Sequence, residues 1–541
     1  MQKNQVLEIA ITGTAVDGSG VGRAEDTVVF IPGAAEGDRV RARIVKVLKN
    51  RAYGRVEEIL EPSPERQAPD CPVFSRCGGC VFRHISYAAE KEIKVRRVRE
   101  AVRRIGGIDL EPRPILAAEA RTAYRNKAQY PFAREGERVV AGFYAPHSHR
   151  VIPSADCLLQ PAEFSAALRA VCRFAEQQGL TVYDEECGRG LLRHLYLRKG
   201  FATGEVMAVL VINGRTLPAA KALVAALQSA VGEGLCSVML NHNSKRTNVV
   251  LGEGCTLLWG RPYIEDILCG VRVRLSPLSF YQVNREMAER LYQKAAEYAA
   301  PAGRTILDLY CGAGTIGLSM AGEAARVIGV EIVPQAVEDA RRNAEQNGIE
   351  NAEFLCADAA EGAALLRRRG VRAEVVLLDP PRKGCTPELL RTVAEGYAPE
   401  RIVYVSCDPA TLARDLRLLT EGGYRLVEYT PADLFPGTAH VETVCLLVLR
   451  NPVTHINIDV DVEEMVQDKR GMATYGQIKE YVLEHSGLKV SSLYIAQVKQ
   501  KYGIIERENY NKPKSEDARQ PQCPLEKERA ITEALKHFGM L

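Results

Sequence analysis

From Leu275 to Arg450, short apolar runs and helix-forming stretches alternate strictly along the chain. Few architectures accept that rhythm. Each apolar run reads as a buried strand and each helix returns the chain across the sheet, which gives a parallel, doubly wound α/β sheet. Ligands of such sheets lie beyond the carboxyl ends of the strands, so the residues at those ends carry the chemistry. The first run, TILDLY, opens into Gly312-Ala313-Gly314, and a helix is expected from Thr315. Glycines let the main chain approach a ligand, and a helix start offers free amides. The second run, ARVIGVEI, ends in Glu331, 17 residues after Gly314. A carboxylate there can accept both hydroxyls of a ribose. The third, AEFLCADA, ends in Asp358, which suits an adenine amino group, and the fourth, EVVLLDPPRKGC, ends in Asp379-Pro380-Pro381.

Gly317 stands where a dinucleotide fingerprint has its third glycine, but this acidic series suits a nicotinamide enzyme poorly. It resembles the class I Rossmann-like S-adenosylmethionine-dependent methyltransferases, and the DPP element points to those that methylate nucleic acids or amides. The fifth run, IVYVSCDPATLARDL, ends in Cys407. Methylating nitrogen or oxygen needs no thiol. Carbon 5 of a pyrimidine does, because a thiolate must first add to carbon 6 to make carbon 5 nucleophilic. A base must then remove the carbon-5 proton, and an unstacked base needs a pocket. Glu442, opening the last strand in AHVETVCLLVL, is the candidate base.

Upstream, residues 1–60 show short alternating strands punctuated by glycine, the pattern of a small antiparallel barrel. Positions 39–55 hold seven basic residues and no acid (Arg39, Arg41, Arg43, Lys46, Lys49, Arg51, Arg55), read here as a surface for nucleic-acid phosphates. A proline-bearing linker precedes Cys71, Cys77 and Cys80; SYAAEKEIKVRRVREAVRRI then reads as a basic helix capped by Ser86. With a fourth cysteine, three so spaced can hold zinc or a [4Fe–4S] cluster, and spacing alone chooses neither the metal nor the ligand among Cys157, Cys172 and Cys187. The net charge of +3 gives no global argument for nucleic acid. No apolar run is long enough for a membrane span or a signal peptide, so a cytoplasmic, monomeric protein is expected. Most of the fifteen cysteines should then be buried thiols.

The stretches PLSFYQVN (Pro277–Asn284), LDLYCGAGTIGL, DPPRKG, VSCDPATLARDL and FPGTAHVETV resemble the RNA uracil-5-methyltransferase family, in particular its 23S ribosomal RNA branch with an N-terminal TRAM domain. The resemblance spans about residues 1–450. It implies Cys407 as nucleophile and Glu442 as base. Gln282, Tyr310, Glu331 and Asp379 would contact S-adenosylmethionine, with Asp379 also positioning the uracil. It further implies a [4Fe–4S] cluster on Cys71, Cys77, Cys80 and Cys157, and 23S rRNA as substrate. Asp408 follows the nucleophile where many members have Asn. A carboxylate there should hinder the thiolate, so it is expected to point away or to be neutralised by Arg382 or Arg414. YRNKAQYPF (Tyr124–Phe132) and RGLLRHLYLR (Arg189–Arg198) are candidate RNA-groove segments.

Four domains follow: an OB-like TRAM barrel (1–60), a central α+β iron–sulfur domain (61–274), the methyltransferase domain (275–450) and a helical extension (451–541). Around Gly487, with Ser491 as a cap, the extension reads as helix-turn-helix-like and as an accessory RNA-contacting module. The competing readings are a transfer RNA uracil-5-methyltransferase and a non-catalytic RNA-binding iron–sulfur protein.

Overall fold

The computed structural model describes residues 1–450, 473–504 and 522–541. They belong to two compact units, Met1–Pro452 and Val453–Leu541. The first unit opens with a closed barrel of five strands, Val6–Thr14, Gly20–Ala24, Thr27–Ile31, Arg39–Leu48 and Arg51–Glu61, ordered first, second, third, fifth, fourth. Alternate residues Ile9, Ile11, Val29, Ile31, Val40, Ala42 and Ile44 fill it. That alternation turns Arg39, Arg41 and Arg43 outward together, as the sequence suggests. They are not free for phosphates, however. Arg39 pairs with Glu8 and Glu61, Arg41 with Glu58, and Arg43 with Glu57. Those acids come from neighbouring strands, which a pass along one strand cannot see. Lys46, Lys49, Arg51 and Arg55, nearer the tip of the hairpin, stay exposed and without ion pairs among the described residues.

Ser86 caps the helix Tyr87–Arg104 as expected, its side chain accepting from the Ala89 amide. The central domain is a mostly antiparallel seven-stranded sheet covered by the helices Ala162–Gln177 and Ala220–Val231. Much of both candidate RNA segments turns out to be core, although Arg125 and Lys127 are half-exposed and Arg189 is exposed. Tyr124, Tyr130 and Phe132 are buried, as is Leu192–Arg198 with its Arg193, His194 and Arg198. Two-faced burial in a covered sheet overrides the polar look of those stretches.

A second sheet of seven strands follows: Thr305–Leu309, Arg326–Glu331, Ala352–Cys356, Val375–Leu378, Arg401–Ser406, Tyr424–Ala432 and Glu442–Leu449. Their order is third, second, first, fourth, fifth, seventh, sixth. The first five are parallel, as the strand–helix rhythm requires. The seventh is antiparallel to both neighbours, a departure from the all-parallel expectation. Only a nine-residue loop joins sixth to seventh, too short for a crossover. The reversal sets the start of the seventh strand against the end of the fifth, with Ser406 opposite Thr443. Apolar cores cover both faces.

In the second unit the helices Tyr475–Ser486, Ser492–Lys501 and Leu525–His537 bury Ile478, Val482, Ile495, Val498, Ile531 and Leu535 together. Gly487 closes the first helix at φ 67° and Ser491 caps the second, as expected. The start of the extension and most of the stretch NYNKPKSEDARQPQCP lie outside the described residues. All fifteen cysteines are free thiols, but only Cys311, Cys385 and Cys445 are buried. Most of the others are half-exposed, contrary to expectation. None of the described helices is long and apolar enough to cross a membrane.

The helix Pro409–Glu421, directly after Cys407, rests on the core through Leu412, which is 0% exposed. Leu412→Ala should remove about 2–5 kcal/mol of stability, read as a lowered urea midpoint of the first unit. Its apolar cavity should be felt well before any surface change.

Candidate active site

The antiparallel seventh strand brings two distant stretches to one edge. Cys407 follows the end of the fifth strand and Glu442 opens the seventh. Asp379 ends the fourth strand beside them. Glu442 is buried, and its carboxyl is pushed up to about 8 by that burial and by Asp379, with Arg382 pulling the other way. Burial raises Asp379 to about 7. The Cys407 thiol is pushed up to about 11 by burial, then by Glu442; Arg382 opposes this and Asp379 adds to it. The Cys407 thiol therefore senses the buried Glu442, and both sense Asp379, with Arg382 as the cation common to both. That arrangement can add a sulfur to an electron-poor ring and take up a proton from it.

Asp408 does point away. Its side chain caps the following helix, accepting from the Ala410 and Thr411 amides, with Pro409 at the first helical position. Arg414 is not its partner. Arg414 pairs with Asp415 and donates to the carbonyls of Lys383 and Cys385. Asp415, fully buried, accepts from the Cys385 amide at 2.8 Å and from Tyr404 Oη at 2.6 Å. The helix that follows Cys407 thus clamps the DPPRKGC loop.

The glycine loop lies on the same edge. Gly312 and Gly314 take left-handed φ angles of 54° and 80°, and the helix Thr315–Met320 follows. Tyr310 is also left-handed at φ 99°, a strained place for a tyrosine and one typical of functional loops. Glu331 ties the loop down: its carboxylate accepts from the Gly312 amide at 3.1 Å and the Val333 amide at 2.8 Å. Thr315 Oγ1 lies 3.5 Å from Tyr292 Oη. Asp358 caps the helix Ala359–Arg368 and is exposed. Gln282 is half-buried, its carbonyl accepting from Asn126 Nδ2 at 2.7 Å.

Two features were not foreseen. Asp308, inside the first strand, is buried and raised to about 7 by burial and by Asp379. One of its oxygens accepts from the Gly317 amide at 3.2 Å, and the other has no partner among the described residues. An acid amid TILDLY is a visible signal. The second is an apolar rim: Phe280 is 70% exposed, and Leu278, Ile332 and Val333 are exposed too.

Cys71, Cys77, Cys80 and Cys157 line one cavity of about 410 Å³, whereas Cys172 and Cys187 do not. Burial pushes the Cys80 thiol up to about 12; Arg83 opposes this, and the other three thiols add to it. Arg125 and Lys127 also line the cavity and have no acidic partner among the described residues. Among those residues no group of His, Cys, Asp or Glu converges tightly enough for a single metal ion.

The family model described as tRNA (Uracil-5-)-methyltransferase matches residues 112–450, and the TRAM domain model matches residues 1–56. An uncharacterized RNA methyltransferase of Halalkalibacterium halodurans is 44% identical over 453 residues, covering 83% of this chain and 98% of its own. One from Clostridium tetani is 41% identical over 448 residues, covering 83% and 97%. Among solved structures, the Pyrococcus abyssi tRNA (uracil-54, C5)-methyltransferase in complex with S-adenosyl-L-homocysteine superposes with a TM-score of 0.66 at 28% identity, covering 82% of this chain and all of its own. With Cys407, Glu442 and Asp379 on one edge of a methyltransferase sheet, this chain belongs to the RNA (uracil-5-)-methyltransferase family.

Proposed function

We propose that the protein methylates carbon 5 of a uridine in 23S ribosomal RNA. The observation that carries this is the juxtaposition of Cys407 with the buried Glu442 at paired strand ends. Cys407 adds to carbon 6 as thiolate, and the ring's electrons move to carbon 5. S-adenosylmethionine, when bound, supplies the electrophilic methyl group. Glu442 then takes the carbon-5 proton, the carbon 5–carbon 6 double bond re-forms, and the carbon 6–sulfur bond breaks to return the thiolate. Asp379 orients the uracil. Glu442 has the character a base needs, raised toward neutrality, and Arg382 opposes the burial and the acids that push the Cys407 thiol up.

The residues suit the cofactor. Asp308, Glu331 and Asp379 gather acidic groups at this edge, which complements a sulfonium, and among the described residues one Asp308 oxygen has no partner. Gly312, Gly314 and Thr315 would lie against it, with Glu331 at the ribose, Asp358 at the adenine, and Tyr310 and Gln282 completing the contact. The cysteine cavity suits a [4Fe–4S] cluster. All four thiols line the cavity of about 410 Å³, and Arg125 and Lys127, which line it too, offset the negative charge of a thiolate-ligated cluster. It pins structure or aids RNA binding, outside the methyl transfer.

The exposed Lys46, Lys49, Arg51 and Arg55 of the barrel are the proposed phosphate contacts. The C-terminal helices, with exposed Lys489 and Lys536, are an accessory RNA-contacting module. A transfer RNA substrate is the second reading, favoured by the family description and by the Pyrococcus abyssi structure. Incubating the protein with 23S rRNA fragments or tRNA transcripts and counting 5-methyluridine separates the two. Product in rRNA supports the proposal, and product in tRNA alone overturns it.

Cys407→Ala should abolish 5-methyluridine formation while leaving the fold intact. Arg382→Ala should move the alkaline-rising limb of the pH–rate profile to higher pH. Its cation holds both the thiol and the Glu442 carboxyl down, and both must be deprotonated to act. Activity lost at pH 7.5 should return in part near pH 9; an unshifted limb contradicts the assignment. Cys77→Ser should lower the iron content of protein purified without oxygen, measured by colorimetric iron assay and visible absorbance. Iron unchanged, or absent from the wild type, removes the cluster.

A further inference from the structure

Glu442 follows a loop, Asp433–Val441, with no regular structure. A surface loop of that kind would satisfy its main chain with water. Here, side chains and amides from remote segments do so instead. Asn284 Nδ2 donates to the Leu434 carbonyl at 3.1 Å, and Tyr124 Oη to Pro436 at 3.0 Å. Lys94 Nζ reaches the Phe435 carbonyl at 3.3 Å, and Arg97 reaches that of Ala439 at 2.8 Å. Gly437, left-handed at φ 82°, is held at both ends. Its amide donates to Glu90 Oε1 at 2.7 Å, and its carbonyl accepts from the Val81 and Phe82 amides at 2.8 and 3.0 Å.

Lys94 is the hub. It is 1% exposed, and its ammonium lies 2.7 Å from Glu90 Oε1 and 2.6 Å from Asp433 Oδ1. Tyr87 Oη donates to the other Asp433 oxygen at 2.9 Å. Apolar side chains of similar volume would pack here at no greater cost in stability. What the buried charges add is direction: they fix where the loop begins, at Asp433, and where it turns, at Gly437.

We propose that Lys94, with Glu90 and Asp433, is a positioning residue for proton abstraction. It straps the loop that carries Glu442 to the helix Tyr87–Arg104 and to the segment just after Cys80. The inference rests on Glu442 being the base. A loosened strap leaves Cys407, on a different strand, able to add to carbon 6 and leaves carbon 5 able to take the methyl group. It slows the last step, in which Glu442 takes the carbon-5 proton, the electron pair closes the ring double bond and the carbon 6–sulfur bond breaks.

The test is Lys94→Met in the full chain, given S-adenosylmethionine and an ordinary uridine RNA substrate. Denaturing gels follow the covalent protein–RNA complex, and nucleoside analysis follows 5-methyluridine. Turnover should fall about 100-fold, the scale of a misplaced catalytic group, while a covalent complex that the wild type does not build up accumulates at close to the wild-type rate of addition. Unchanged turnover overturns the proposal, and so does complex formation that falls in step with turnover, which is what general structural damage would produce. Should Lys94→Met fail to fold, Tyr87→Phe decides by the same criteria. It deletes one hydroxyl and keeps the ring, so the same accumulation is expected to a smaller extent. Wild-type protein with 5-fluorouridine RNA is the control: a wild type that is not trapped refutes the assignment of Cys407 itself, whereas a trapped wild type with no accumulation in the variants refutes the strap alone.

Discussion

Acids crowd the carboxyl edge of the large sheet, and the rest of the molecule is arranged around that crowding. Asp308, Asp379 and Glu442 are each raised by burial, and two of them further by Asp379's own charge. Groups of like sign in a shielded recess are unstable as anions. The well-filled cores on both sheet faces hold them there regardless. A recess of this kind favours a positively charged visitor, and it keeps a carboxyl near neutrality where it can accept a proton from carbon. Arg382, exposed at the rim, is the local counterweight that opposes the raising of the Cys407 thiol by these acids.

The chemistry depends equally on one reversal of chain direction. A sixth parallel strand would have placed its first residue at the far edge. The antiparallel seventh strand instead sets its start beside the end of the fifth, which puts Cys407 and Glu442 on one edge, as their proposed roles require. The connection that makes this possible is irregular, and other parts of the chain supply its geometry. Helix Tyr87–Arg104, read from its sequence as a basic helix, spends Lys94 and Arg97 inward on that task. The active site is therefore a product of the whole first unit rather than of the methyltransferase sheet alone.

Much of this was legible in the residues. Strand ends in a doubly wound sheet are marked by local signals: glycines after TILDLY, an acid after ARVIGVE, DPP after EVVLL. The structure brings Gly312, Glu331, Asp379, Cys407 and Glu442 to one edge as those signals suggest. The orientation of Asp408 was legible too, since an Asp before Pro at a helix start is a cap signal. What was illegible depends on partners distant in sequence. Nothing near Arg39, Arg41 and Arg43 shows that Glu57, Glu58 and Glu61 neutralise them across the barrel. Nothing near Tyr130 or Arg198 shows that helices cover their sheet. Lys94 looks like any surface lysine until Asp433, far along the chain, is placed beside it.

The central claim is that one sulfur, that of Cys407, bonds to the pyrimidine. Peptide mass spectrometry of the protein after reaction with S-adenosylmethionine and 5-fluorouridine RNA, followed by nuclease and protease digestion, tests it most directly. The account predicts a methylated fluorouridine nucleotide on the peptide that contains Cys407 and on no other. The same mass on a peptide bearing any of the other fourteen cysteines, or no modified peptide at all, would contradict it.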